Sequence, residues 1–253
     1  MVFFIFFVYN FLYTAKGRRK MYVFGKGFNY GEDGPGNRLV IHLSGCNMRC
    51  KWCSNPNGFS PTAGKRVTAE EMLDEILSCK PMFFGGGGVT FTGGEATLWH
   101  DELKPLLISL KKEGIHTALE TNGTDERLPE LLPYVDYLMM DFKHYDGETL
   151  KAFTGMDNGV VKENFAYNCR RQIPQHIRIP LINGFNADGA EGFVAFFTKH
   201  DTSLTDFEFL AYHEYGREKW QTEYQMKNAF ITKEQLTKFN QAFANSGLKV
   251  IKT

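Results

Sequence analysis

Apolar runs of strand length alternate with segments of helical period from residue 38 to residue 246. RLVIHLSG (38–45), GVTFTGG (88–94), HTALET (116–121), VDYLMMDF (135–142), IRIPLIN (177–183) and FEFLAYH (207–213) read as strands. TAEEMLDEILSC (68–79) reads as a helix, with Thr68 as N-cap, Glu71 three residues on, and Met72, Ile76 and Leu77 on one face. DELKPLLISLKKEG (101–114) is helical and stops at Gly114. DERLPELL (125–132) is a short helix, and further helices fall at 162–172, 190–200 and 233–246. Such a βα alternation with about six strands predicts an α/β fold, parallel strands inside and helices outside, wound right-handed. A partial (β/α)6 TIM-like barrel fits it better than a flat sheet, and barrels of this kind carry their chemistry at the C-terminal ends of the strands.

Each strand end holds something unusual. Directly after the first comes CNMRCKWC, with Cys46, Cys50 and Cys53 in eight positions. The second ends in Gly93, Gly94 and Glu95, and the third in ETNG, beginning at Glu120. The fourth ends in MMDFK, which puts Asp141 and Lys143 on one face. Arg178 lies on the fifth strand, and the sixth runs into His213. Singly, an acid at a strand end is a helix cap, a GG pair is a turn and a histidine is structural. Six such features on one rim make a site.

Three thiolates are one short of a closed tetrahedral zinc centre or an ordinary iron–sulfur cluster. Either a fourth ligand such as His42 completes a zinc site, or a [4Fe–4S] cluster keeps one iron open for a ligand from outside. Cys79, at a helix end, and Cys169, inside a helix, read as packing residues. Five cysteines with three clustered make a poor disulfide framework and point to a reducing, cytoplasmic setting. Lys+Arg and Asp+Glu both number 29, which argues against broad nucleic-acid binding. The segment VFFIFFVYNFLY (2–13) followed by KGRRK (16–20) has the charge order of a signal peptide reversed and is too short to span a bilayer. Residues 1–20 are therefore expected to be an extension, and 21–253 the single working domain, with no stable membrane span.

CNMRCKWC resembles the C-x3-C-x-Φ-C signature of the radical S-adenosylmethionine (radical SAM) superfamily, with Trp52 as the aromatic residue, and GGE resembles its second motif. GEDGPGNR (31–38), KKEGIHTALETNG, LMMDFK, IRIPLINGF and AYHEYGREKW follow in the order found in activating enzymes of glycyl-radical enzymes, the pyruvate formate-lyase activases above all. The likeness spans roughly residues 26 to 220. It implies a partial barrel of the radical SAM type. Cys46, Cys50 and Cys53 would hold a [4Fe–4S] cluster whose open iron takes the amino and carboxylate groups of S-adenosylmethionine. Gly93, Gly94, Glu95, Asp141, Lys143 and His213 would surround that cofactor, with Trp52 beside its adenine and Arg178 near it. Glu120, Thr121, Met139 and Asp141 match a monovalent-cation site, although Glu120 stands where those activases have Asp. Asp33, Gly34 and Gly36 would face the partner protein.

The implied reaction is one-electron reduction of the cluster by flavodoxin or ferredoxin, cleavage of S-adenosylmethionine, and abstraction of a glycine Cα hydrogen from the partner by the 5′-deoxyadenosyl radical. The enzyme would act as a monomer. Residues 54–92 contain only Cys79, so the ferredoxin-like insert of many activases is absent. CSNPNG nevertheless resembles the insert-bearing members, and the identity of the partner stays open. The competing readings are a radical SAM reaction on a small molecule, activation of anaerobic ribonucleotide reductase, and a non-enzymatic zinc or iron–sulfur module.

Overall fold

The computed structural model describes residues 20–251. Eight strands form one sheet in the order β3-β1-β2-β4-β5-β6-β7-β8. They are β1 (Lys20–Tyr30), β2 (Asn37–Leu43), β3 (Lys65–Thr68), β4 (Gly88–Gly93), β5 (His116–Thr121), β6 (Tyr137–Asp141), β7 (Gln175–Leu181) and β8 (Thr205–Ala211). The six strands read from the sequence are β2 and β4 to β8, and they run parallel as expected. Strands β1 and β3 were not anticipated. They extend one edge antiparallel, and the sheet curls into an open barrel rather than closing. Lys20 already pairs with Thr68. The rest of the proposed N-terminal extension lies outside the described residues.

The described residues form six helices: α1 (Ala69–Ser78), α2 (His100–Lys112), α4 (Gly159–Arg170), α5 (Ala190–Phe197) and α6 (Lys233–Asn245) contribute to the core outside the sheet, and α3 (Gly147–Thr154) lies in a second cluster under the cysteine loop. Helix α1 starts as its sequence predicts: Thr68 accepts from the Glu71 amide, and Glu71 reaches back to the Thr68 amide. Helix α3 was not anticipated. The segment expected to be helical at 125–132 instead forms two 3-10 turns, Leu128–Glu130 and Leu132–Tyr134, because Pro129 and Pro133 each remove an amide donor. No helix among the described residues is long and apolar enough to cross a membrane.

Side chains alternate along each strand. One set, including Leu39, Ile41, Phe91, Leu119, Ile177 and Phe207, packs on the helices in a large core with Phe193, Phe197, Phe239 and Phe243. The opposite set turns into the barrel and is largely polar. Arg38, Thr90, Arg178 and Glu208 are all buried there.

The loop 31–36 between β1 and β2 folds into this polar interior. Thr90 Oγ1 donates to Asp33 O (2.7 Å), Arg38 Nη1 to Pro35 O (2.9 Å), and Arg178 Nη2 to Glu32 O. Gly34 (φ +115°) and Gly36 (φ +69°) adopt the left-handed conformation this requires, and a Cβ on Gly36 would lie 2.4 Å from Gly87 N. Both glycines are buried, so neither offers a surface to a partner as had been expected. Asp33 alone projects upward from the loop into the cleft described next.

Candidate active site

A cleft of about 330 Å³ opens at the C-terminal ends of the strands. Its walls include Cys46, Cys50, Trp52 and Cys53 from the loop after β2, Gly93–Glu95 after β4, Glu120 and Thr121 at the end of β5, Asp141 and Lys143 at the end of β6, and His213 after β8. Nearly the whole set read from the sequence therefore converges. Arg178 does not line the cleft. It sits beneath, donating to Glu120 Oε1 and Glu208 Oε2, both at 2.9 Å. Its place is that of a support for Glu120 rather than a contact for a cofactor.

The cysteine loop hangs on α3 and on a small second core. Arg49 N donates to Thr154 O (2.7 Å) and Lys51 N to Phe153 O (3.2 Å). Trp52 packs against Phe185 with ring centroids 4.6 Å apart, and Met48, Ile182 and Tyr212 complete the cluster. On the far side Trp220 Nε1 donates to Cys53 O (3.0 Å) and Lys219 Nζ to Ser54 O (3.1 Å). The segment after β8 thus clamps the end of the loop.

All three thiols are free. Burial pushes Cys46 up to about 11, helped by the nearby Glu95 charge, and Cys50 up to about 12; it raises Cys53 as well. Without a metal they stay protonated at neutral pH, so metal loading must expel their protons. Two sulfurs already receive backbone donors, Met48 N to Cys46 and Asn55 N to Cys53, both at 3.4 Å. Asn122, passed over in the sequence although ETNG was singled out, points Nδ2 at Cys46 Sγ (3.9 Å) and at Asn47 Oδ1 (2.9 Å). Such donors stabilise thiolates and tune a cluster's potential.

Gly93 and Gly94 are obligatory for a reason additional to cofactor approach. A Cβ on Gly93 would lie 2.2 Å from Leu43 O, and one on Gly94 2.1 Å from Gly45 O. The GG pair lets the end of β4 close on the root of the cysteine loop. Glu95 borders the cleft, and its oxygens are unequally engaged: Thr97 N (3.0 Å), Thr97 Oγ1 and Thr121 Oγ1 (both 2.7 Å) donate to Oε1, and Asn122 N (2.7 Å) alone donates to Oε2. Here it ties the ends of β4 and β5 together, with its carboxyl raised by burial.

Lys143 donates to Asp141. Burial opposes its charge, yet the Asp141 carboxylate beside it outweighs that and raises it above the ordinary lysine value. Glu120 is held below its usual range, because the Arg178 charge and the Thr92 hydroxyl (2.7 Å) overcome the cost of burial. Both carboxylates assigned to the monovalent cation are thus already matched by side-chain cations. Met139 is fully buried. Among the described residues no three His, Cys, Asp or Glu side chains converge on a point able to hold one metal ion.

Comparison with known proteins agrees with this geometry. Residues 40–197 match the Radical SAM superfamily. The chain is 34% identical to pyruvate formate-lyase 1-activating enzyme of Escherichia coli strain K12, covering 74% of this chain and 79% of that protein. It is 36% identical to pyruvate formate-lyase-activating enzyme of Staphylococcus aureus strain USA300, covering 75% and 80%. The chain belongs to the radical SAM superfamily and, within it, to the pyruvate formate-lyase-activating enzymes. A crystal structure of a domain of pyruvate-formate lyase-activating enzyme from Bacteroides vulgatus superposes with a TM-score of 0.56 at 28% identity, covering 66% of this chain and 99% of that one.

The cofactors of a radical SAM protein are a [4Fe–4S] cluster and S-adenosylmethionine, and the residues present fit them. Cys46, Cys50 and Cys53 supply the thiolates. The Lys143–Asp141 pair, the Gly93–Gly94 turn and His213 face the space beside them.

Proposed function

We propose that this chain activates a glycyl-radical enzyme, with pyruvate formate-lyase as the first candidate, by installing a radical on a backbone glycine of that partner. The observation that carries the reading is the joining of three unpaired thiols with a polar cradle at one mouth of the barrel, in a chain whose relatives bear the activase name. Cluster and S-adenosylmethionine together supply the one-electron cleavage and the hydrogen abstraction.

The protein's own residues bind, orient and shield. Asp141 is an acceptor for the cofactor's amino group, and Lys143, kept cationic, is a donor for a carboxylate or hydroxyl. Trp52 offers an aromatic face, held in place by the tilted ring of Phe185. Met48, Ile182, Leu210 and Tyr212 line the cleft with apolar surface that excludes water. The electron enters from flavodoxin or ferredoxin, and the enzyme works as a cytoplasmic monomer.

Reduced holoenzyme, S-adenosylmethionine and pyruvate formate-lyase, mixed without oxygen, should yield 5′-deoxyadenosine and methionine. They should also yield a glycine-centred doublet in the electron paramagnetic resonance spectrum, which collapses when the partner's glycine is deuterated at Cα. Cofactor cleavage with no such signal from any glycyl-radical enzyme would transfer the chain to small-molecule chemistry.

A further inference from the structure

The carbonyls of α3 grip the cysteine loop at Arg49 and Lys51. The turn that follows, residues 53–55, is gripped by another part of the chain, the strap of residues 216–220 beyond β8. Trp220 Nε1 donates to Cys53 O (3.0 Å), and Lys219 Nζ donates to Ser54 O and to Asn55 Oδ1 (both 3.1 Å). Phe59 backs the contact, its ring edge-on to Trp220 with centroids 5.9 Å apart. Gly216 lies against the same turn. Its φ of −96° is open to any residue, yet a Cβ there would lie 2.3 Å from Ser54 O. Close backbone approach, and not a special angle, calls for glycine at this position.

What the turn carries gives the strap its role. Asn55 N donates to Cys53 Sγ (3.4 Å), as Met48 N does to Cys46 Sγ. An amide that donates to a cluster's sulfur favours the reduced form, which carries the extra negative charge, and so raises the potential. The Lys219 ammonium, bound to the same turn, adds positive charge on that side. The strap also begins at the cleft, because His213, three residues before Gly216, is one of its walls. One short segment therefore joins the seat of the cofactor to the last of the three cysteines.

We propose that Lys219 and Trp220 are positioning residues for the cluster: by holding residues 53–55 they keep the Asn55 amide on the Cys53 sulfur, and so set the potential at which the cluster accepts one electron from its external low-potential donor. The proposal rests on Cys53 being a cluster ligand. Neither side chain touches the sulfur. Trp220 acts through the Cys53 carbonyl, and Lys219 through Ser54 and the Asn55 side chain. Their loss makes the cluster harder to reduce, which is an effect separate from loss of iron.

The test is an anaerobic redox titration of the reconstituted holoenzyme, read by the electron paramagnetic resonance signal of the reduced cluster, with neither S-adenosylmethionine nor partner present. Trp220→Phe keeps a ring against Phe59 and removes the donor. Lys219→Met removes the other donor and the charge. Each should lower the midpoint potential, and the two together should lower it by about 59 mV, a tenfold loss in the one-electron equilibrium. Lys219→Arg, which keeps the charge and can still donate, should recover most of the Lys219→Met loss. A merely structural grip would cost iron content and leave the potential of the remaining clusters unmoved, and that result overturns the proposal. If Trp220→Phe fails to hold its cluster, Lys219→Met decides against the unaltered protein in high salt, where the bare charge is screened and the hydrogen bonds are not. A lowered potential there supports the proposal, and equal potentials overturn it. Full iron content in Cys53→Ala is a different failure, that of the ligand assignment itself.

Discussion

At the residue scale the site is built from side chains whose partners fix their charge before any cofactor arrives. Lys143 and Asp141 are two apart on one strand end and hold each other, so each presents a defined charge to the cleft. Removing Lys143 leaves Asp141 beside buried thiols with no cation in contact. Lys143→Met should therefore weaken S-adenosylmethionine binding ten- to hundredfold, the worth of one charge-assisted contact at about 1.5–3 kcal/mol, while leaving the cluster in place. Anaerobic titration calorimetry of the reconstituted protein reads this directly, and an unchanged Kd would put the cofactor elsewhere. Alanine at Cys46, Cys50 or Cys53 should abolish a cluster of about four irons. Cys169 is buried in the main core and Cys79 packs against it, so alanine there should leave the iron content intact. These residues were legible because strand ends and cysteine spacing are local signals. Asn122 and the hydrogen bonds of Glu95 were not, since both depend on which loops meet in space.

At the element scale the sequence reading succeeded where a segment carried its own start and stop. Helix α1 has its capping box, and α2 ends before Gly114 at φ +66°. Strand β1 was passed over because Gly25 and Gly27 break its alternation. Helix α3 was passed over because eight residues give too little periodicity, although Asp146 caps its start and left-handed Gly155 ends it. That helix matters out of proportion to its length, since its last turn carries the cysteine loop. Phe153 packs its ring against both Trp52 and Phe185 and lies under the Lys51 ammonium. Phe153→Ala should cost about 2 kcal/mol in urea unfolding, below the range for fully buried rings because the side chain is only half-buried, and should speed loss of iron to a chelator. Thr68→Ala, which removes the cap of α1, a helix of the main core, should cost about 1 kcal/mol with no change in the rate of iron loss. Equal rates of iron loss in the two variants would show that α3 does not hold the loop.

At the scale of the whole molecule the barrel has an inside that an outside-in reading of hydrophobic periodicity cannot see. Periodicity marks the helix-facing residues of each strand; the alternate positions looked like ordinary polar residues, and their joining across strands depends on the curl of the sheet. In the structure Arg178 on β7 reaches Glu120 on β5, Glu208 on β8 and the Glu32 carbonyl of the β1–β2 loop. His176 Nε2 lies 2.9 Å from Glu208 Oε2, and its Nδ1 lies 2.6 Å from Tyr137 on β6. One guanidinium therefore ties the two halves of the open barrel together and holds the loop that aims Asp33. Its planar fork serves three acceptors, which a lysine ammonium of different shape cannot match. Arg178→Met should destabilise the fold by about 3–5 kcal/mol, because it takes the guanidinium away from buried Glu208 and from the half-buried Glu120. Adding Glu208→Gln to Arg178→Met should recover part of that loss, since one stranded charge is then removed, giving a non-additive double-mutant cycle in urea unfolding. Simple additivity of the two substitutions would mean that the carboxylates are solvated once the arginine is gone, and that the lumen does not act as a single dry polar network.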